Sequence, residues 1–148
     1  MIRALQVMLA EMGEAACYYL ALCWFAVERG RVISVAEDFA ACVKTGWIRY
    51  NWDDPKWADN CFVSYPDAVL GYLLNEPGQW VVEKRPPEGP FPEGALLVGR
   101  YDWVTTRGTF SHFVPLKADL TPAWDSMGES NTVRNGTLQS VRVFTKRP

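Results

Sequence analysis

The chain has 148 residues, 49% hydrophobic and 22% charged, with a formal net charge of -2 and a sequence pI near 5.4. That length and balance suit one globular domain over residues 1–148 and lack the basic footprint of a nucleic-acid binder. The longest apolar stretch, Ala15 to Val27, falls short of the roughly 20 residues that a membrane helix needs, so neither a nucleic-acid nor a membrane partner is expected.

The first twelve residues carry Arg3 and Glu11 and show no clear cleavage site. They do not read as a signal peptide, and a cytoplasmic, reducing location is the expectation. The cysteines are Cys17, Cys23, Cys42 and Cys61, with no C-x-x-C pair and one histidine, His112. Structural zinc sites use closely spaced ligand pairs, so no metal and no cofactor are expected. Without an export signal, disulfides are not expected either. Core thiols fit Cys23 and Cys42 best.

Ile2, Leu5, Leu9 and Met12 fall at helical spacing, and Gly13 ends the run. From Ala15 the chain is apolar all round as far as Val27, with Gly30 at the stop. A helix with no polar face must be buried on most sides, which makes this segment the expected centre of the fold. Ser34 and Glu37 make a capping box for a helix over about Val35 to Lys44, stopping at Gly46. An irregular stretch with Trp47, Trp52 and Trp57 follows. Ser64, with Pro66 and Asp67 behind it, marks a further helix that ends near Asn75.

The second half changes character. Strands are expected over Trp80 to Glu83, Ala95 to Tyr101 and Thr109 to Leu116, the first two separated by a loop with four prolines. Period-two alternation puts Phe110, His112, Val114 and Leu116 on one face. Asn135-Gly136 predicts a hairpin turn between Thr132-Val133 and Leu138 to Phe144. Arg134, Arg142, Lys146 and Arg147 read as a solvated face and a tail. Helices first and antiparallel strands second imply an α+β domain with helices on one face of a sheet.

Chemistry centres on Cys17. It sits in the first turn of the apolar helix, where backbone N–H groups favour the thiolate. His112, borne on a strand, can serve as its base. A carboxylate then orients the imidazole, and both Asp119 and Asp125 follow at suitable distances. The competing account is ordinary: cysteines on apolar helices are most often core residues. Cys61 is the rival thiol, better suited to packing. The three tryptophans could form a substrate-binding platform or simply cover the core, and on their own they would suggest a carbohydrate-binding module. The acidic pairs Asp53-Asp54 and Glu37-Asp38 fit caps and solvated turns.

Gly13 to Val27, with Cys17-Tyr18-Tyr19-Leu20 at its heart, resembles the nucleophile helix of papain-like thiol hydrolases. Ser111-His112-Phe113-Val114 resembles their histidine strand. Trp124-Asp125-Ser126, Ser130 to Val133 and Asn135-Gly136 resemble the segment that carries the orienting residue. With Asp59-Asn60-Cys61-Phe62-Val63, the pattern is most similar to a small uncharacterised family of papain-like proteins, found partly in phages. The resemblance implies a papain-like fold, with a buried nucleophile helix packed on a C-terminal antiparallel sheet and with Cys17, His112 and Asp125 as nucleophile, base and orienter. NlpC-type peptidases and bacterial amidases share this minimal architecture. The implied activity is that of a cysteine peptidase or amidase acting on a peptide or protein substrate, including amide bonds of cell-wall peptides. One departure stands out. Such enzymes often carry a Gln oxyanion donor six residues before the cysteine, where this chain has Glu11, acceptor-only when ionised. Gln6 lies a turn or more away. The alternative is therefore an inactive papain-like binding or inhibitory protein, contacting partners through its Trp-rich and Pro-rich loops.

Overall fold

A computed structural model of the chain describes residues 15–148. The helix expected over Ile2 to Met12, and Gln6 and Glu11 with it, lies outside the described residues.

Helix α1 spans Cys17–Glu28 and buries Cys17, Tyr19, Ala21, Leu22, Cys23, Phe25 and Ala26. With no polar face to leave in water, it is enclosed on several sides. The sheet lies on one side and another helix, Pro66–Leu73, on a second. It stops where Gly30 takes a φ of 80°, a left-handed turn suited to glycine. Helix α2 is Val35–Lys44, as the periodicity predicts, but its capping box does not form. The Ser34 side chain caps nothing, and its backbone N–H donates instead to Asp38 Oδ2 at 3.0 Å. The acid one position further on is the one whose geometry reaches back.

The irregular stretch that follows is closed at its base by two short antiparallel strands, β1 Ile48–Arg49 and β2 Phe62–Val63. Asn60 fastens it internally. Its Oδ1 accepts from Asn51 N–H at 2.8 Å and its Nδ2 donates to Asp54 O at 2.9 Å. Helix α3, Pro66–Leu73, begins with proline at its first position, where the missing N–H costs nothing. Tyr65, not Ser64, precedes it as the cap residue.

Strands β3 Trp80–Arg85, β4 Leu96–Thr105, β5 Gly108–Leu116 and β6 Thr137–Lys146 form one antiparallel sheet in the order β3-β6-β4-β5. Period-two alternation divides its residues between two apolar clusters. Trp80, Val98 and Phe144 join the side chains of the three helices. Leu97, Tyr101, Val114, Leu116, Val141 and Val143 face the other way, under Phe91, Leu120 and Val133 from the connecting loops and a short helix. The architecture is α+β, with the three longer helices on one face of an antiparallel sheet and β5 at the sheet edge.

The expected hairpin at Asn135-Gly136 is absent. Asn131–Asn135 forms a short helix, α4, whose first turn is capped by Ser130 Oγ accepting from Val133 N–H at 3.2 Å. Strand β6 then pairs with β3 and β4 rather than with Thr132-Val133. Gly136 is required by crowding. A Cβ there would lie 2.3 Å from Thr132 O and 2.6 Å from Asp102 O, both backbone atoms that cannot swing aside. Gly136→Ala is therefore expected to destabilise the fold by about 3 kcal/mol, read from the urea midpoint. A loss under about 1 kcal/mol would mean the α4–β6 junction yields easily.

Candidate active site

Cys17 opens α1. The cap residue Ala16 offers no side-chain hydrogen bond, and the first turn contains no acidic residue. The backbone ladder begins with Leu20 N–H donating to Ala16 O at 2.9 Å. The N–H groups of Cys17, Tyr18 and Tyr19 precede that ladder and are the helix's intrinsic orphan donors, at its positive end.

The sulfur faces the edge of the sheet. Cys17 Sγ accepts from Phe113 N–H at 3.4 Å. Edge strands leave alternate N–H groups without ladder partners, and β5 spends one of them on this thiol. His112, the neighbour of Phe113, alternates to the opposite face and is buried, 3% exposed. Thus α1 packs on one face of the sheet while the imidazole approaches from the other, and the two meet at the β5 edge.

His112 Nε2 and Asp125 Oδ1 lie 2.7 Å apart. The same Oδ1 accepts from Met127 N–H at 2.9 Å, and Oδ2 accepts from Ser130 N–H at 3.0 Å. Three donors hold the carboxylate in place ahead of α4. Burial opposes ionisation of Asp125, but the Met127 N–H, the imidazole and the Ser130 N–H outweigh it and hold its pKa below the ordinary value. Burial also works against the imidazolium of His112. Hydrogen bonding and charge interaction with Cys17, and then with Asp125, outweigh that and raise its pKa. With Nε2 engaged by Asp125, Nδ1 is the ring nitrogen left to face the thiol. A carboxylate on one nitrogen keeps the proton there and leaves the other as a base.

Cys17, His112 and Asp125 are thus brought together from a helix terminus, a strand edge and a loop. Asp119 stays out. It is exposed and serves a local turn, accepting from Thr121 N–H at 3.0 Å and Thr121 Oγ1 at 2.6 Å. Burial pushes the Cys23 and Cys42 thiols up to about 12, which suits core thiols. Cys61 is also buried, and it adopts a φ of 68°.

Beside Cys17 lies a cleft of about 570 Å³, lined by Tyr18, Cys61, Phe62, Phe113 and Arg142 among others. Trp47, Trp52 and Trp57 do not line it. Trp47 packs against Tyr72, with ring centroids 6.0 Å apart, and Trp52 sits edge-on to Tyr50 at 4.7 Å. Arg142 departs from its sequence reading as a solvated residue. It is half-buried in the cleft, its guanidinium 5.2 Å from the centroid of the Phe113 ring. Strand alternation could have found it. Arg142 lies two residues before Phe144, on the same face as the helical core.

A thiol at a helix N-terminus, a base with a free nitrogen toward it and a carboxylate behind that base can carry acyl transfer. No family model matches the chain, and no curated protein or solved structure shows significant similarity to it.

Proposed function

We propose that this chain is a cysteine hydrolase of the papain-like kind, a peptidase or amidase that cleaves an amide bond. The observation that carries the reading is the alignment of Asp125, His112 and Cys17. A 2.7 Å contact ties His112 Nε2 to Asp125, and Cys17 Sγ accepts from the N–H of the next residue, Phe113, at 3.4 Å.

In the first step His112 Nδ1 takes the proton from Cys17 Sγ, and the thiolate attacks the substrate's carbonyl carbon. Negative charge gathers on the carbonyl oxygen, where the Cys17 N–H at the positive end of α1 donates to it. The imidazolium then gives its proton to the leaving nitrogen, the C–N bond breaks, and an amine departs from a thioester on Cys17. Water, deprotonated by His112, attacks the thioester. The acid leaves, the thiolate regains its proton from His112, and the site is restored. Asp125 keeps the ring aligned throughout and stabilises each imidazolium.

Amide bonds of cell-wall peptides are the substrate class implied by the resemblance to NlpC-type peptidases and bacterial amidases, which share this minimal architecture. No described helix is long and apolar enough to cross a membrane. The test is incubation with a mixture of peptidoglycan-derived peptides and with casein, with new amino termini counted by mass spectrometry. Cleavage that disappears in Cys17→Ala supports the reading. Cleavage that persists in Cys17→Ala overturns it. Binding of these peptides without any cleavage would favour the inactive binding protein instead.

A further inference from the structure

The cleft beside Cys17 has a cationic wall. Lys84, Arg100 and Arg142 come from three neighbouring strands, β3, β4 and β6, and all line it. Their charges are not equally spent. Arg100 Nε is paired with Asp102 Oδ1 at 3.0 Å, and Arg100 Nη2 donates to Ser111 Oγ at 3.3 Å. Among the described residues no carboxylate pairs with Lys84 or Arg142. Arg142 donates to Ser140 Oγ and lies over the Phe113 ring. Asp102 gives Arg142 a partial counter-charge from a distance, but its own hydrogen bonds go to Arg100 and Ser111. An anion that meets the half-buried guanidinium directly would still lower its cost of burial.

A second feature of the same wall points the same way. Tyr18 stacks on Phe113, with centroids 4.5 Å apart and an interplanar angle of 19°. Its hydroxyl is buried and has no hydrogen-bond partner among the described residues. Buried hydroxyls in folded proteins are nearly always partnered, so this O–H is a donor in want of an acceptor. Tyr18 and Arg142 lie against the same phenyl ring, and the N–H of that same residue touches Cys17 Sγ. Both side chains therefore stand against the residue whose N–H meets the Cys17 sulfur.

We propose that this wall binds a carboxylate of the substrate, so that the site takes acidic peptides, with Arg142 as the principal anion contact and Lys84 as a weaker, more exposed one. This rests on the reading of Cys17 as nucleophile and gives that site its substrate class. Arg142 is a specificity residue here. It takes no part in breaking the bond.

Two alkylating reagents of nearly equal size, iodoacetate and iodoacetamide, test the charge preference without a known substrate. Both lose iodide to the Cys17 thiolate and differ in carrying a carboxylate or a neutral amide. The readout is the ratio of their rates at Cys17 near pH 6.5, taken for each variant from peptide mass spectrometry. Wild-type protein is expected to favour iodoacetate about fivefold, with the preference falling as salt is added. Arg142→Gln should remove most of the preference, Arg142→Lys should keep much of it, and Lys84→Gln should reduce it in part. Rapid iodoacetamide labelling with no preference for iodoacetate, or with a preference that Arg142→Gln leaves intact, overturns the proposal and leaves the nucleophile standing. Failure of both reagents at Cys17 overturns the nucleophile reading and the proposal with it.

Discussion

Iodoacetamide near neutral pH should label Cys17 at least ~1,000-fold faster than Cys23 or Cys42 in the folded protein. Cys23 lies six positions further along the same helix and, at 5% exposure against 7% for Cys17, is not set apart by exposure alone. Burial pushes it and Cys42 up to about 12, so near pH 7 only about one such thiol in 10⁵ is ionised. Cys17 differs on two counts that do not depend on that figure: it lines the cleft, and its sulfur meets the β5 edge at the Phe113 N–H, next to His112. The imidazole is the base placed to take the thiol's proton. His112→Ala should therefore slow labelling of Cys17 by about tenfold or more near neutral pH. Cys61 lines the same cleft, so the measurement belongs in a Cys61→Ala background as well as in the wild type. Equal labelling of the four cysteines, or no response to His112→Ala, would reduce Cys17 to a core thiol.

Much of this site was legible because its parts obey local rules. An apolar helix without a polar face had to be buried, and α1 is. Glycine stops at Gly30 and Gly46 bounded α1 and α2 to within a residue or two. Alternation along β5 put His112 with Val114 and Leu116, the parity that faces the second apolar cluster. The misses are non-local. Asn135-Gly136 has the composition of a tight hairpin, yet Gly136 is small because the Asp102 backbone passes 2.6 Å from where its Cβ would be. That neighbour lies on β4, thirty-four residues away in sequence, and no window around Asn135 contains it. Ser34 and Glu37 satisfy the capping-box pattern, but Asp38 makes the bond, a choice set by the angle at which the chain enters α2. Arg142 looked solvated among other basic residues. Its parity with Phe144 puts it on the helical face, and its partners Val98 and Lys84 on neighbouring strands set it beside the cleft. Asp119 and Asp125 were equal candidates by spacing. What separates them is that Thr121 captures Asp119 in a local turn.

Asp125→Asn should lower the unfolding free energy by about 2–3 kcal/mol near pH 5 and flatten its dependence on pH. Asparagine keeps one acceptor oxygen, so one of the three contacts now served by two carboxylate oxygens is left facing an N–H₂ group. The pH dependence follows from the two directions of shift. Asp125 titrates below its ordinary value in the folded chain, so its contribution is present above the unfolded value of about 3.9 and is lost as pH falls through the lower folded value. His112 titrates above its ordinary value, so its contribution is complete below the unfolded value of about 6.5 and is lost as pH rises through the higher folded value. Between about pH 4 and pH 6.5 both are present, and wild-type stability should decline on either side. In Asp125→Asn the acid-side loss from this residue vanishes, because asparagine does not titrate. The alkaline-side decline shrinks without vanishing, since Cys17 also raises the His112 pKa and remains in place. Urea midpoints from about pH 3 to pH 9 distinguish this from a simple packing defect, which would displace the whole curve downward by a constant amount. Parallel curves for the two proteins would mean that the 2.7 Å contact between Asp125 and His112 does not set the imidazole's charge, and the orienting role would then have to pass from Asp125 to another group.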